Sequence, residues 1–190
     1  MTERVSITSD WIAVDDVWEY YEAIRSAIVR SAENARRSLA DGADIKDPKL
    51  FGMDLEELDE YFESLLDEAD EQACLFLIAS AEATIRVDFL ERVYERRKDR
   101  MSRVFRDIYK SRCEHNKIKV RLDDDILDIW ASEVAQAKTP VGTFKGALRF
   151  RHWLAHGRYW VPKLGRKYDP SGIVQLVIDL FGAIGLSTSD

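Results

Sequence analysis

The chain has 190 residues, of which 46% are hydrophobic and 33% are charged, with a formal net charge of -7 at pH 7. This composition is typical of a globular protein that is long enough to bury its own core, and it excludes a disordered chain. The longest apolar run, around Cys74 to Ala79, is much too short to span a bilayer, and residues 1–10 lack the apolar core of a signal peptide, so we expect a cytoplasmic protein without a membrane partner.

Charge is distributed unevenly along the chain. Acidic residues concentrate in residues 54–71 and basic residues in residues 92–121, whereas residues 138–168 contain eight basic residues and no acidic one. The negative total argues against a general nucleic-acid coat, and the segregation predicts faces of opposite charge. The first two segments are either solvated helix faces or functional surfaces: the acidic one binds a basic partner segment, such as that of an antitoxin, or repels RNA, and the basic one binds RNA.

The first predicted elements are an N-terminal arm, residues 1–10, and a helix. Apolar residues recur at three- and four-residue steps from Val14, which predicts a helix that ends near Leu39. Two glycines and a proline then predict a loop, and Asp54 is the predicted N-cap of the next helix.

Helical spacing continues from Leu55 to Arg97 without a glycine or a proline. An unbroken helix over this range is about 65 Å long at about 1.5 Å per residue, and a break near Asp67–Gln72 would give a helix pair instead. The run around Cys74 to Ala79 is apolar nearly all round, so it is predicted to be the most buried part of the fold.

The next predicted helix covers residues 101–109. Residues 117–122 alternate in polarity, but no second segment alternates to pair with them, so they are predicted to be extended or irregular. Asp123 or Asp124 is the predicted N-cap of a helix that continues to Val134.

A later helix carries the sequence ALRFRHWLAHGRYW, residues 147–160. Thr139 and Pro140 are predicted to start it, as an N-cap and first-turn pair. Gly157 is predicted to end it just past His156.

The last helix is predicted to start at Asp169-Pro170-Ser171 and to continue to Ile184, with a frayed tail over residues 187–190. Glycine and proline are sparse and no pair of strands is visible, so residues 1–190 are expected to form a single all-α domain. We expect a helical bundle with a long central helix or helix pair and a C-terminal helix.

The two cysteines, Cys74 and Cys113, are far apart and lie in unlike surroundings, which argues against a disulfide framework. The sequence contains no glycine-rich phosphate loop, nucleophile elbow or zinc-type cysteine pair. We therefore predict no cofactor and no metal.

Residues 145–156 combine cations with imidazoles. On an ideal helix Lys145, Arg149, His152 and His156 fall within roughly 60° of one another and form a basic stripe. Arg151 falls instead on the apolar side of the helix, where a charge must be paired or must face a cavity or a partner. An imidazole that moves protons and a guanidinium that stabilises a phosphoryl group suffice to cleave RNA at its 2′-hydroxyl without a metal.

The sequence RHWLAHG, an arginine followed by four residues and a histidine, resembles the motif of the HEPN superfamily, over about residues 55–184. The resemblance implies a HEPN-like helical-bundle homodimer and a metal-independent endoribonuclease of a toxin–antitoxin or antiviral-defence system. It implies that Arg151 and His156 are catalytic. His152 occupies the position of the polar residue that follows the family arginine, and we expect it to assist.

We assign RNA binding to the cationic and aromatic side chains near the motif: Lys145, Arg149, Arg158, Tyr159 and Lys163. Some relatives within the superfamily carry a tyrosine two residues after the histidine, which a nucleotidyltransferase antitoxin modifies with AMP. Here Tyr159 follows His156 by three residues, so this form of control does not transfer directly.

The spacing of the motif limits its geometry. Arg151 and His156 project about 140° apart on a regular helix. Either the helix unwinds before His156, or Arg151 of one protomer meets His156 of the other across a two-fold axis. We predict the second arrangement, with the site in a cleft between protomers.

Other interpretations of the same residues are open. Arg151 forms a structural salt bridge with a carboxylate of the long helix, or His156 interacts with free carbonyls at the helix end. Alternatively, His152 and His156 ligate a metal together with His115 or Cys113.

The alternative at the level of the whole protein is a non-catalytic HEPN-type helical module that binds a protein or a nucleotide. Trp153 and Trp160 likewise have two interpretations, base stacking or packing within the protein.

Overall fold

The computed structural model describes residues 6–8, 10–43, 45, 47–114 and 119–189. These residues form six α-helices and no β-strand, so the fold is all-α as predicted. None of these helices is both long enough and apolar enough to cross a membrane. The helices are α1 (Val14–Ala40), α2 (Leu55–Tyr94), α3 (Arg100–Tyr109), α4 (Leu127–Glu133), α5 (Lys138–Ala155) and α6 (Pro170–Ile184).

Helix α1 ends within one residue of the predicted position, and the loop that follows contains one short 3-10 turn, Pro48–Leu50. Most of the predicted arm, residues 1–5 and 9, lies outside the described residues. The chain just before α1 is attached to the body, because the Ser80 hydroxyl donates a hydrogen bond to the carbonyl of Ile12.

Helix α2 is one unbroken helix of 40 residues, about 60 Å long at about 1.5 Å per residue. Asp54 caps it as predicted, and the Glu57 side chain completes a capping box by accepting from the Asp54 N–H. The break considered near Asp67–Gln72 is absent. The helix ends at Tyr94 rather than Arg97, where Arg96 adopts a left-handed φ of 54°.

The N-cap prediction at Asp123 or Asp124 is wrong. A wide π-type turn, Leu122–Ile126, precedes α4, so both residues lie inside the turn. Asp125 holds this turn instead: it is buried, and it accepts hydrogen bonds at 2.8 Å from the Arg121 N–H and at 2.8 Å from the Arg112 guanidinium. Residues 119–121 are irregular, as predicted for this segment, and residues 117 and 118 lie outside the described residues.

The start of α5 also differs from the prediction. A 3-10 turn, Ala135–Ala137, leads directly into the helix at Lys138, and Ala137 provides no side-chain cap. Thr139 is therefore inside the first turn, where its carbonyl accepts from the Thr143 hydroxyl at 3.1 Å.

The end of α5 is as predicted. Gly157 has a φ of 79°, its N–H donates to the carbonyl of Leu154 and the next N–H donates to the carbonyl of Trp153, both at 3.2 Å. This pair of bonds is a Schellman motif, which satisfies carbonyls that the helix end leaves free.

Helix α6 starts where predicted, with the Asp169 side chain accepting from the Gly172 N–H at 2.9 Å. Beyond α6 the tail returns to the start of α1, where the Thr188 carbonyl accepts from the Asp15 N–H at 3.3 Å. Asp190 lies outside the described residues.

The buried side chains form two cores. The main core joins residues 74–93 of α2 to the start of α1 and to α3, α4, α5 and α6, and it includes Phe105, which meets Phe89 and Trp130 edge-on. A smaller core lies between the far ends of α1 and α2, which we call the outer hairpin, residues 28–65. The members of the smaller core are Ala32, Ala35, Leu50, Leu58 and Phe62.

Candidate functional site

Helix α5 presents two unlike sides. Its buried residues, Val141, Phe144, Ala147 and Phe150, recur at three-residue steps and pack into the main core. Helix α5 contacts α2, α4 and α6. Its remaining surface carries the cations and imidazoles of the predicted site.

An open groove of about 740 Å³ runs beside α5, bounded by α2, residues 121–124 and residues 160–164. We call it the α5 groove. Its charged walls contain six cationic side chains against three carboxylates. The cations are Arg86, Arg121, Lys145, Arg149, Arg151 and Lys163, and the carboxylates are Glu82, Asp123 and Asp124. The groove is therefore suited to an anion.

Arg151 lies in the α5 groove and is paired with α2. Its Nη2 atom is 3.7 Å from Oε2 of Glu82, and the side chains are 36% and 18% exposed. The other carboxylate oxygen of Glu82 accepts from Nε and Nη2 of Arg86, each at 3.1 Å. This is the ion pair with the long helix that one interpretation of Arg151 anticipated.

The pairing leaves Arg151 with donors to spare. Its separation from Glu82 is longer than a hydrogen bond, and its buried Nε atom has no hydrogen-bond partner among the described residues. A buried donor without a partner is costly, so a rotation of the Arg151 side chain that brings this atom to an anion in the groove would relieve the cost.

His152 and His156 lie one turn apart on the same face of α5, and both are exposed. Their ring centroids are 4.2 Å apart with an interplanar angle of 55°, and the His152 ring is 6.1 Å from Trp160. His152 lines the groove, whereas His156, the C-cap residue, lies outside its lining.

Helix α5 remains regular as far as Ala155, so it does not unwind before His156. Within one protomer, the groove that contains Arg151 does not contain His156. The lining of the groove therefore includes Arg151 and His152 but not His156, and a site between protomers stays a prediction.

Three of the predicted RNA-binding residues line the groove: Lys145, Arg149 and Lys163. Arg149 and Lys163 are exposed, whereas the Lys145 ammonium is 2.7 Å from a carboxylate oxygen of Asp128. Tyr159, at 84% exposure, projects outside the groove.

Arg158 also lies outside the groove, and it binds the acidic face of α2. Its guanidinium pairs with Glu68 at 2.8 Å and with Glu71. Hydrogen bonds from Gln72 and from Arg158 hold the pKa of Glu68 below its usual value. Part of the acidic segment thus fixes the chain after α5, and Arg158 does so from a left-handed φ of 58°.

The tryptophans separate by role. Trp153 is 5.8 Å from Phe150 in a stacked arrangement, and its Nε1 donates to the carbonyl of Trp160 at 2.7 Å, so it serves packing. Trp160 is half-buried at the groove and touches Tyr159 edge-on at 4.6 Å. Its ring is available beside His152.

The α2 wall of the groove was not predicted from the sequence. Glu82 and Arg86 interrupt an otherwise apolar stretch of α2 at a four-residue spacing, which places them one turn apart on one face. That spacing was a usable signal for a charged site within the core helix.

No group of three histidine, cysteine, aspartate or glutamate side chains within the described residues is placed to hold a metal. His115 and the Cys113 side chain, the proposed third ligands, lie outside the described part of the chain.

The arrangement supplies what transfer of a phosphoryl group needs, namely cations for the phosphate and imidazoles for protons. Comparisons with protein-family models, with curated proteins and with solved structures find no match for this chain.

Proposed function

We propose that this protein is a metal-independent endoribonuclease of the HEPN type, acting in the cytoplasm as a toxin or antiviral-defence effector. The observation that carries the proposal is Arg151, whose donors are incompletely used in a cationic groove that borders two histidines in ring contact. An RNA phosphodiester offers the oxygens that Arg151 lacks.

The reaction needs one base, one acid and one cation. An imidazole of His156 takes the proton of the ribose 2′-hydroxyl, the 2′-oxygen bonds to phosphorus, and the bond from phosphorus to the 5′-oxygen breaks. The leaving 5′-oxygen receives a proton from an imidazolium, and the product ends in a 2′,3′-cyclic phosphate. Arg151 stabilises the charge on the phosphate, and His152, in ring contact with His156, orients it.

The assay is RNA cleavage with EDTA present. Arg151→Ala and His156→Ala are each expected to lower the rate by about 10²-fold or more, as loss of a charge-stabilising or proton-transferring group does. Arg37→Ala, an exposed arginine of α1, is the matched control and should leave the rate unchanged. Full activity in either motif variant would contradict the proposal.

We place the site between two protomers of a homodimer, since Arg151 lines the α5 groove and His156 does not. Mixing the inactive Arg151→Ala and His156→Ala proteins tests this directly. In a shared site each mixed dimer regains one intact site, so an equal mixture should recover about a quarter of wild-type activity. A site within one protomer recovers nothing, and light scattering establishes the dimer independently.

A non-catalytic HEPN-type module is the second candidate. The pairing of Arg151 with Glu82 favours it, because a salt bridge is a sufficient structural reason for this arginine. In either case we propose an antitoxin or regulatory protein with a basic segment as partner of the acidic face, residues 54–71. Folded wild-type protein that does not cleave any RNA offered would favour the module.

A further inference from the structure

Glu82 is shared unequally between two arginines. Arg86 forms two hydrogen bonds to one oxygen of this carboxylate, each at 3.1 Å, whereas Arg151 approaches the other oxygen only to 3.7 Å. All three side chains line the α5 groove. The Glu82 carboxylate is therefore hydrogen-bonded to Arg86 and only weakly paired with Arg151.

Because the two contacts differ, Arg151 can exchange Glu82 for another anion at a small cost in free energy. If Arg151 turns to another anion, Glu82 keeps Arg86, so no half-buried carboxylate is left without a cation. Once the side chain has turned, the guanidinium fork of Arg151 can donate to two oxygens of a phosphodiester, and its buried, unpartnered Nε atom can gain a partner. The gain of a bidentate contact thus opposes the loss of a long ion pair.

We propose that Glu82 is an internal competitor for Arg151, which a phosphodiester in the α5 groove displaces. In the free protein Glu82 restrains Arg151 and lowers the affinity of the groove for anions; the ligand releases Arg151 while Arg86 retains the carboxylate. The choice of a polynucleotide as ligand rests on the proposed function, whereas the competition itself rests on the three side chains.

The test is Glu82→Gln, which keeps the shape of the side chain and an oxygen for Arg86 but removes the charge that attracts Arg151. The probe is a short fluorescein-labelled DNA oligonucleotide, which lacks the 2′-hydroxyl and so cannot be cleaved by the proposed reaction. Fluorescence anisotropy should show binding about two- to fivefold tighter than in wild type, as expected on removing one partly exposed competing charge.

Asp123→Asn is the matched control. It removes the same charge from the same groove, but Asp123 pairs with Arg121 at 3.6 Å rather than with Arg151. Its effect on the dissociation constant should be smaller than that of Glu82→Gln. Equal effects would reduce the role of Glu82 to the general potential of the groove and overturn the proposal.

A second comparison uses the Arg151→Ala background, in which Glu82→Gln should tighten binding no more than Asp123→Asn does. Tightening there that is as large as in the wild-type background, weaker binding in Glu82→Gln alone, or no binding by either protein would each overturn the proposal. If circular dichroism shows that Glu82→Gln does not fold, Glu82→Asp, which withdraws the charge by one methylene, takes its place with the same expectation.

Failure of the proposed function is distinguishable from failure of this inference. If Glu82→Gln tightens oligonucleotide binding only when Arg151 is present, and the protein does not cleave RNA, the proposed competition is supported and the proposed ribonuclease activity is contradicted. Cleavage of RNA without such tightening would support the ribonuclease activity and contradict the competition.

Discussion

Cys74 shows how burial controls the chemistry of a single residue. Its side chain is 1% exposed within α2, and burial, with nearby carboxylates such as Asp169 and Asp70, raises the pKa of the thiol to about 12. The reactive species is the thiolate, which is therefore scarce at neutral pH. Cys74 has no nucleophilic role in this fold.

We expect Cys74 to resist iodoacetamide in the native protein near pH 8 and to react readily in urea. Mass spectrometry of proteolytic peptides measures this for Cys74 apart from Cys113. Rapid labelling of Cys74 in the native state would show that α2 opens locally around it.

At the scale of the element, two glycines of α5 form a matched pair. A Cβ added at Gly146 would lie 2.6 Å from the hydroxyl oxygen of Tyr168, whereas one added at Gly142 would meet no described atom within 4 Å beyond its chain neighbours and the backbone of its own helix. Tyr168 cannot move freely, because its ring stacks on Phe150 at 5.0 Å and lies under the Arg166 guanidinium.

We therefore predict opposite effects of alanine at the two glycines. Gly142→Ala should raise the free energy of unfolding by about 0.5–1 kcal/mol through helix propensity. Gly146→Ala should lower it by about 1–3 kcal/mol, since the methyl group overpacks the contact with Tyr168. Urea denaturation measures both changes, and stabilisation by Gly146→Ala would show that Tyr168 yields without cost.

The helix ends fall into two groups: some are determined by residues nearby in sequence, and others by more distant contacts. Asp54, Gly157 and Asp169 act through neighbours a few residues away, so local sequence predicted them. The starts of α4 and α5 depend on preceding turns, one of which is held by the distant pair Arg112 and Asp125. Such contacts are not encoded in the residues next to the turn.

The candidate site divides in the same way. Periodicity predicted that Arg151 falls on the apolar side of its helix and needs a partner or a cavity. It did not identify Glu82, because the partner belongs to a helix distant in sequence and the packing of α2 on α5 decides which side chains meet. The fold class followed from local pattern; the groove followed from tertiary contact.

At the scale of the whole molecule, the two cores differ in size, and α2 passes through both. The outer hairpin buries few side chains, so its local stability should be lower than that of the main core. Leu58 and Leu77, both fully buried in α2, represent the two cores.

Replacing each leucine by alanine should affect the stability of the two cores differently. Leu77→Ala should lower the global free energy of unfolding by about 2–5 kcal/mol, because it leaves a cavity among many neighbours. Leu58→Ala should accelerate amide hydrogen exchange within residues 28–65 and leave α6 protected. Faster exchange in α6 caused by Leu58→Ala would mean that the cores unfold as one unit.

The hydrogen bond between Asp15 and Thr188 joins the beginning of α1 to the tail beyond α6. The two ends of the helical body thus lie side by side. A linker of a few residues from residue 188 to residue 14 would join these ends, and the exposed loop at Phe51 and Gly52 would supply new ends in a circular permutant. A domain fused before α1 or after the tail beyond α6 would be attached at the same end of the helical body, away from the loop that connects α1 to α2.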